Sequence, residues 1–174
     1  AYSNTQYHQV DYFDQQALQH VADSIGAEFE VQRLIICTGM LHEQDLAPEK
    51  SIRQLNADNL QRLFAVNSTL PIMICQAFYR FFSRQSPLLI AVLSARVGSI
   101  TDNKLGGWYS YRASKSALNM LLKTLSIELQ RFNKQSIVLG LHPGTVDSHL
   151  SEPFKKNVAK DKLFSPAQSA EYLY

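Results

Sequence analysis

Leu34-Ile35-Ile36-Cys37-Thr38-Gly39 is the stretch that decides the fold. It is apolar without alternation, rich in β-branched side chains, and closed by a small polar residue and a glycine. Successive strand side chains point to opposite faces, so a half-exposed strand alternates apolar and polar residues, whereas a continuous apolar run asks for cover on both faces. Two further runs share this character: Leu88 to Leu93, and Ile137-Val138-Leu139-Gly140-Leu141, closed by His142-Pro143-Gly144. Helical spacing fills the intervals. Asp14 can cap a helix carrying Ala17, Leu18, Val21, Ala22 and Ile25, with Gly26 as its stop. Asp58 opens a helical stretch through Leu60, Leu63, Phe64 and Val66; Pro71 interrupts it, and a second helix is expected from Ile72 to Ser83. The longest helical pattern runs from Ser110 to Phe132, with Ala113, Ala117, Leu118, Leu121, Leu122, Leu125 and Leu129 on one broad face. Apolar strands alternating with helices predict an α/β fold, a doubly wound parallel sheet covered on both faces.

Outward from these runs the signal weakens. Gln6 to Val10 is a short extended candidate ending in Asp11, and residues 40–54, polar and containing Pro48, read as a surface loop. The 174 residues make one domain. Lys+Arg 17 against Asp+Glu 15 leaves a net charge of +2, which argues against a nucleic-acid or membrane-surface binder. With 45% hydrophobic and 18% charged residues the chain can build a packed core. No run approaches the roughly 18 apolar residues of a membrane span. The polar start lacks the basic-then-apolar layout of a secretion signal, and Cys37 and Cys75 sit in apolar segments; buried, reduced thiols and a cytoplasmic location are expected. His8, His20, His42, His142 and His149 show no metal-ligand spacing, so no metal is expected. The aromatic residues Phe78, Tyr79, Phe81 and Phe82 suit either a core or an exposed oligomer stripe.

In open parallel sheets ligands bind beyond the carboxyl ends of the strands. Asp11, Thr38-Gly39, Ser94 and Pro143-Gly144 are therefore the first places to look for chemistry. Tyr111 and Lys115, four residues apart at the start of the longest helix, share a face one turn apart. A free phenol titrates near about 10. An adjacent ammonium favours the phenolate and brings proton transfer with an alcohol or carbonyl within reach.

The stretch Ser94-Ala95-Arg96-Val97-Gly98-Ser99, followed by Gly106-Gly107-Trp108-Tyr109-Ser110-Tyr111-Arg112-Ala113-Ser114-Lys115, resembles the active-site region of the short-chain dehydrogenase/reductase family, above all its C-factor-like and sniffer-like carbonyl reductases. Leu63-Phe64-Ala65-Val66-Asn67 resembles the family helix that carries an active-site asparagine, and Ile36-Cys37-Thr38-Gly39 stands where the family has Asn-Asn-Ala-Gly. Pro143-Gly144-Thr145-Val146-Asp147-Ser148 resembles its Pro-Gly-x-Val-x-Thr loop, and Val10-Asp11 the strand end whose aspartate lies near the adenine. Order and spacing agree from Gln6 to about Ser148.

That resemblance implies a Rossmann-like domain transferring a hydride between NAD(P)(H), NADP preferred, and a small carbonyl or alcohol substrate. It implies Tyr111 as general acid/base, Lys115 lowering its pKa and holding the nicotinamide ribose, Asn67 holding a water, and a serine on the substrate oxygen. Pro143, Gly144, Val146 and Ser148 would border the nicotinamide, Thr38 and Gly39 would pass the cofactor through backbone atoms, and Asp11 would lie near the adenine. In the family, helices equivalent to 70–84 and 110–131 build a homodimer or homotetramer.

Two departures qualify the carry-over. In the family register the catalytic serine falls on Ala95, leaving Ser94, preferred, or Ser99 to substitute. The chain also has no Gly-x-Gly for a pyrophosphate turn. By resemblance it begins at the third family strand and stops before the last, so an incomplete domain with an unpaired sheet edge is expected. A non-catalytic, C-factor-like signalling or binding fragment is the alternative reading.

Overall fold

The computed structural model describes residues 5–173, apart from the side chains of Asn157 and Lys160. Its centre is a parallel sheet of β1 (Arg33–Ile36), β2 (Leu88–Leu93) and β3 (Ser136–Leu141), in that spatial order. The register places Leu34, Ile90 and Val138 in one row and Ile36, Val92 and Gly140 in another, both on the same face. Helices α1 (Gln15–Glu28), α3 (Leu70–Phe78) and α4 (Tyr109–Leu129) pack on that face. Leu88, Ile90, Leu118 and Leu129 are essentially without solvent contact, and burial of such side chains contributes about 1.5–3 kcal/mol each.

The opposite face behaves differently. Ile35 is 58% exposed, Ile137 53% and Leu139 41%, so among the described residues the helices cover one face only. The chain moves from β1 to β2 to β3 in one direction, and right-handed crossovers then place both connecting helices on one side. Cys37 follows Arg33 and Ile35 on the uncovered side and is exposed, which corrects the expectation of a buried thiol there. Cys75 is buried as expected, and burial pushes its thiol up to about 12.

Several local expectations shift for identifiable reasons. Gln6–Val10 forms no ladder, and only Val10 is partly sheltered. Asp14 caps α1 as read, its carboxylate accepting from the Gln16 and Ala17 N–H groups. Gly26, however, lies inside α1: a β-carbon there would stand 2.2 Å from the Phe81 ring, so the glycine serves close packing rather than termination. α2 (Ala57–Phe64) is capped by Asn56, two residues before Asp58, its side-chain oxygen accepting the Asp58 and Asn59 N–H groups. Pro71 does not break the helix. A π-helical turn at Ala65–Thr69 joins α2 to α3, with the Leu70 N–H reaching back five residues to the Ala65 carbonyl. Proline lacks the N–H that would bond the carbonyl four residues earlier, and a widened turn absorbs the mismatch. Phe78 and Phe82 are core, with Tyr79 edge-on to Phe82 and Phe132, so this aromatic cluster is interior. The remainder is a two-stranded parallel sheet, β4 (Thr145–Val146) with β5 (Leu163–Phe164), and a short helix α5 (Pro166–Leu173). No helix among the described residues is long and apolar enough to cross a membrane.

Candidate active site

The π turn lays Asn67 against α4. Its amide oxygen accepts the Met40 N–H at 2.9 Å, while Nδ2 donates to the Met40 carbonyl at 2.8 Å and to Ser114 Oγ at 3.1 Å. Ser68 Oγ donates to the Ser114 carbonyl, and Ser114 Oγ to the Tyr111 carbonyl. Asn67, Ser68 and Ser114 are fully buried, so these bonds meet needs that water cannot. They tie the loop after β1, the π turn and the first turns of α4 into one unit. Ser68 and Ser114 were missed in the sequence; the available signal was two small hydroxyl residues where two helices must cross closely.

Lys115 is 3% exposed, and its Nζ donates to the Leu93 carbonyl at the end of β2, 3.0 Å away. The same ammonium lies 5.9 Å from the Tyr111 ring centroid. A β-carbon on Gly39 would sit 3.7 Å from both Lys115 Nζ and Asn67 Oδ1, so a bare backbone faces the pair. Thus Gly39, Asn67, Tyr111 and Lys115 converge beyond the carboxyl ends of β1 and β2. Burial shifts both titrating groups: the Tyr111 phenol is pushed up to about 12 and the Lys115 ammonium down to about 8. The expected lowering of the phenol by its lysine is not what this structure holds; desolvation outweighs an ammonium at this distance.

Around the phenol lies an apolar cluster of Leu41, Leu46, Leu63 and Tyr111, with Met40, Ala95, Val97, Trp108, Leu150 and Phe154 packed on it. Trp108 meets Tyr111 edge-on at 6.2 Å and Phe154 at 4.8 Å. The buried leucines 41 and 46 correct the reading of residues 40–54 as mere surface loop.

The other candidates fall into three groups. Ser94 Oγ donates to Asn119 Oδ1 at 2.7 Å. Asn119 is two helical turns beyond Tyr111, roughly 12 Å along α4, so Ser94 is engaged away from the phenol, and Ala95 packs toward it instead. Ser99 is held in its own loop by Thr101 and the Asp102 N–H. Asp11 is spent locally, accepting the Phe13 N–H in the turn before α1. Pro143 accepts from Ser169 Oγ, Gly144 is left-handed at φ 75°, Val146 lies in β4, and Ser148 caps the 3₁₀ segment His149–Asn157. That segment brings Leu150 and Phe154 to the cluster, which is how the Pro143–Ser148 loop approaches Tyr111. Thr38 Oγ1 is buried without a hydrogen-bond partner. Among the described residues no group of three or more His, Cys, Asp or Glu is placed to hold a metal ion.

A parallel sheet with these residues gathered at its carboxyl ends is the arrangement of a dinucleotide-dependent oxidoreductase fold. Residues 2–159 match the short chain dehydrogenase family, and the chain belongs to it. It is 30% identical over 105 residues to C-signal of Myxococcus xanthus, covering 60% of this chain and 62% of that one. To benzil reductase of Bacillus subtilis it is 23% identical over 154 residues, 88% of this chain and 63% of that one. Among solved structures, a short-chain dehydrogenase/reductase from Burkholderia multivorans with bound NADP superposes with a TM-score of 0.77 at 20% identity, covering 95% of this chain and 66% of that chain. Carbonyl reductase Sniffer of D. melanogaster gives 0.77 at 21%, covering 95% and 67%. These likenesses show the doubly wound fold. The chain spans between half and two thirds of the length of the first curated relatives it matches, 62%, 50% and 63%.

Proposed function

We propose that this chain carries the catalytic part of an NAD(P)(H)-dependent carbonyl reductase or alcohol dehydrogenase. The observation that carries the reading is the convergence of Tyr111, Lys115, Asn67 and Gly39 beyond β1 and β2. The residues fit the nicotinamide-ribose end of a dinucleotide. A buried ammonium with one acceptor given by the protein and the bare Gly39 backbone beside it suit sugar hydroxyls approaching closely, with Thr38 next to Gly39 on the same loop. When bound, the cofactor supplies or accepts the hydride.

The protein's share is the proton. Tyr111 donates its phenolic proton to the substrate oxygen in reduction and takes it back in oxidation. Lys115 stabilises the phenolate that results, holding positive charge beside it in a largely desolvated site. The Asn67 side chain is occupied in joining Met40 to Ser114. Its carbonyl has no α-helical donor, because the residue four places on is Pro71, and that carbonyl is the acceptor assigned to the water leading from Lys115. Pro143, Gly144, Val146 and Ser148 border the nicotinamide in this reading. Ala95 offers no hydroxyl, which leaves the phenol to orient the substrate oxygen. The leucine and aromatic surroundings favour an aldehyde or ketone with an apolar body.

NADP is the preferred form in this reading, supported by the NADP and NADPH named for two of the structural neighbours. Self-association through residues 70–84 and 110–131 belongs to the same proposal, with Met120 and Ile127 as the exposed apolar positions of α4. Titration with NADPH followed through Trp108, the single tryptophan, tests binding. Tyr111→Phe should abolish turnover of aromatic aldehydes and leave cofactor affinity within a factor of about two; unchanged turnover overturns the assignment. The similarity to C-signal and the lack of a Gly-x-Gly favour a second reading, a signalling or binding fragment. Absence of NADPH binding in a protein extended to its relatives' length would select it.

A further inference from the structure

Helix α4 begins without a cap of its own. Trp108, the residue before it, gives no side-chain hydrogen bond, and the first turn holds no acidic residue. The approach is strained: Gly106, Gly107 and Trp108 are consecutively left-handed, at φ 67°, 64° and 53°, and a tryptophan pays a steric cost there that glycine does not. What holds this entry comes from elsewhere in the chain. Glu49, 5% exposed, directs its carboxylate at the helix N-terminus, Oε1 accepting the Ser110 hydroxyl and Oε2 the Ser110 N–H at 3.3 Å. Its own carbonyl accepts the Trp108 N–H at 2.5 Å. A β-carbon on Gly107 would lie 3.2 Å from that carbonyl, so the two backbones are in close contact.

Resting on the Tyr–Lys reading above, we propose that Glu49 is a positioning residue for Tyr111, a cap supplied by the loop after β1 of the same chain. A buried carboxylate is stable at a helix N-terminus because unpaired N–H groups and the helix dipole compensate its charge. By gripping both Trp108 and Ser110, Glu49 fixes the rotation of the first turn of α4, in which Tyr111 is the third residue. It also adds a side-chain tie, beside the Met40–Asn67–Ser114 bonds, between the loop carrying Leu41 and Leu46 and the helix carrying Tyr111. The carboxylate acts through Ser110; the bond from Trp108 is to the backbone carbonyl and persists when the side chain is replaced.

The test compares Glu49→Ala and Glu49→Gln with the parent protein, well below their unfolding temperatures. Misplacing a catalytic group by about 1 Å costs on the order of 100-fold in rate. Glu49→Ala should therefore lower kcat by about 10- to 100-fold while leaving KM for NADPH within about twofold, and Glu49→Gln, which keeps an acceptor, should recover most of the loss. Independently of turnover, amide exchange at Ser110 and Tyr111 should accelerate by about tenfold or more in Glu49→Ala, with the core of α4 unchanged. If the parent shows no turnover but these amides loosen, the reductase reading fails and the cap stands. Unchanged exchange at Ser110 and Tyr111, or equal and measurable kcat in an active parent and in Glu49→Ala, overturns the proposal.

Discussion

Lys115→Met should change the pH dependence of stability in a calculable way. In the unfolded chain this lysine titrates near 10.5; in the fold, burial lowers it to about 8. A group depressed in the native state binds its proton more weakly there, so the unfolded chain is favoured wherever that proton is bound. At pH 7 the native protein carries the ammonium at a cost of about 3 kcal/mol, since each tenfold loss of proton affinity is ~1.4 kcal/mol. As pH rises through about 8 the folded lysine deprotonates, while the unfolded one stays charged until near 10.5, so the cost disappears over that window. The wild type should gain about 2.5 kcal/mol relative to Lys115→Met between pH 7 and pH 10. The methionine fills similar volume and removes the charge, but strands the Leu93 carbonyl at a cost of about 1–3 kcal/mol, so at pH 7 the two proteins should be close or the variant ahead. Tyr111 and Cys75, both raised by burial, contribute stability that is lost as pH climbs from their ordinary values toward about 12. That loss is common to both proteins and cancels in the difference. Urea unfolding at the two pH values, followed by Trp108 fluorescence, measures the gap. A gap that stays constant with pH refutes the buried ammonium.

Ser94→Ala should leave turnover within about threefold, because its hydroxyl is bonded to Asn119 rather than aimed at the phenol. Ala95→Ser, which places a hydroxyl in the cluster around Tyr111, should raise kcat; steady-state kinetics on one aldehyde reads both. The two sheet faces should differ sharply in a matched pair of substitutions: Ile90→Ala should cost about 2–5 kcal/mol in chemical denaturation, and Ile137→Ala, more than half exposed, under about 1 kcal/mol. Equal losses would mean that both faces are covered.

The sheet was legible because Leu34–Ile36, Leu88–Leu93 and Ile137–Leu141 are apolar without interruption, and the structure places strands at all three. Among the described residues, cover lies on one face of these runs. A continuous apolar strand records that both faces suit burial, yet the chain directions of β1, β2 and β3 put every connecting helix on one side. The Tyr111–Lys115 pair was readable from its four-residue spacing, and Asn67 from the motif around it. Their electrostatics were not. Spacing says that an ammonium stands near a phenol; it does not say that both are sealed from water, which reverses the direction in which the phenol moves.

Glu49 shows a different kind of illegibility. In the sequence it sits between Pro48 and Lys50 in a polar stretch, and nothing local distinguishes it from a solvated glutamate. Its partner Ser110 is 61 residues away. The deficit it fills emerges with the structure: the sequence offers Ser110 as the start of the helix, but α4 begins at Tyr109 behind Trp108, which gives no side-chain cap, so the N–H groups of that first turn find an acceptor elsewhere. Asking which buried groups remain unpaired after local structure is assigned therefore points to long-range contacts that periodicity cannot reveal.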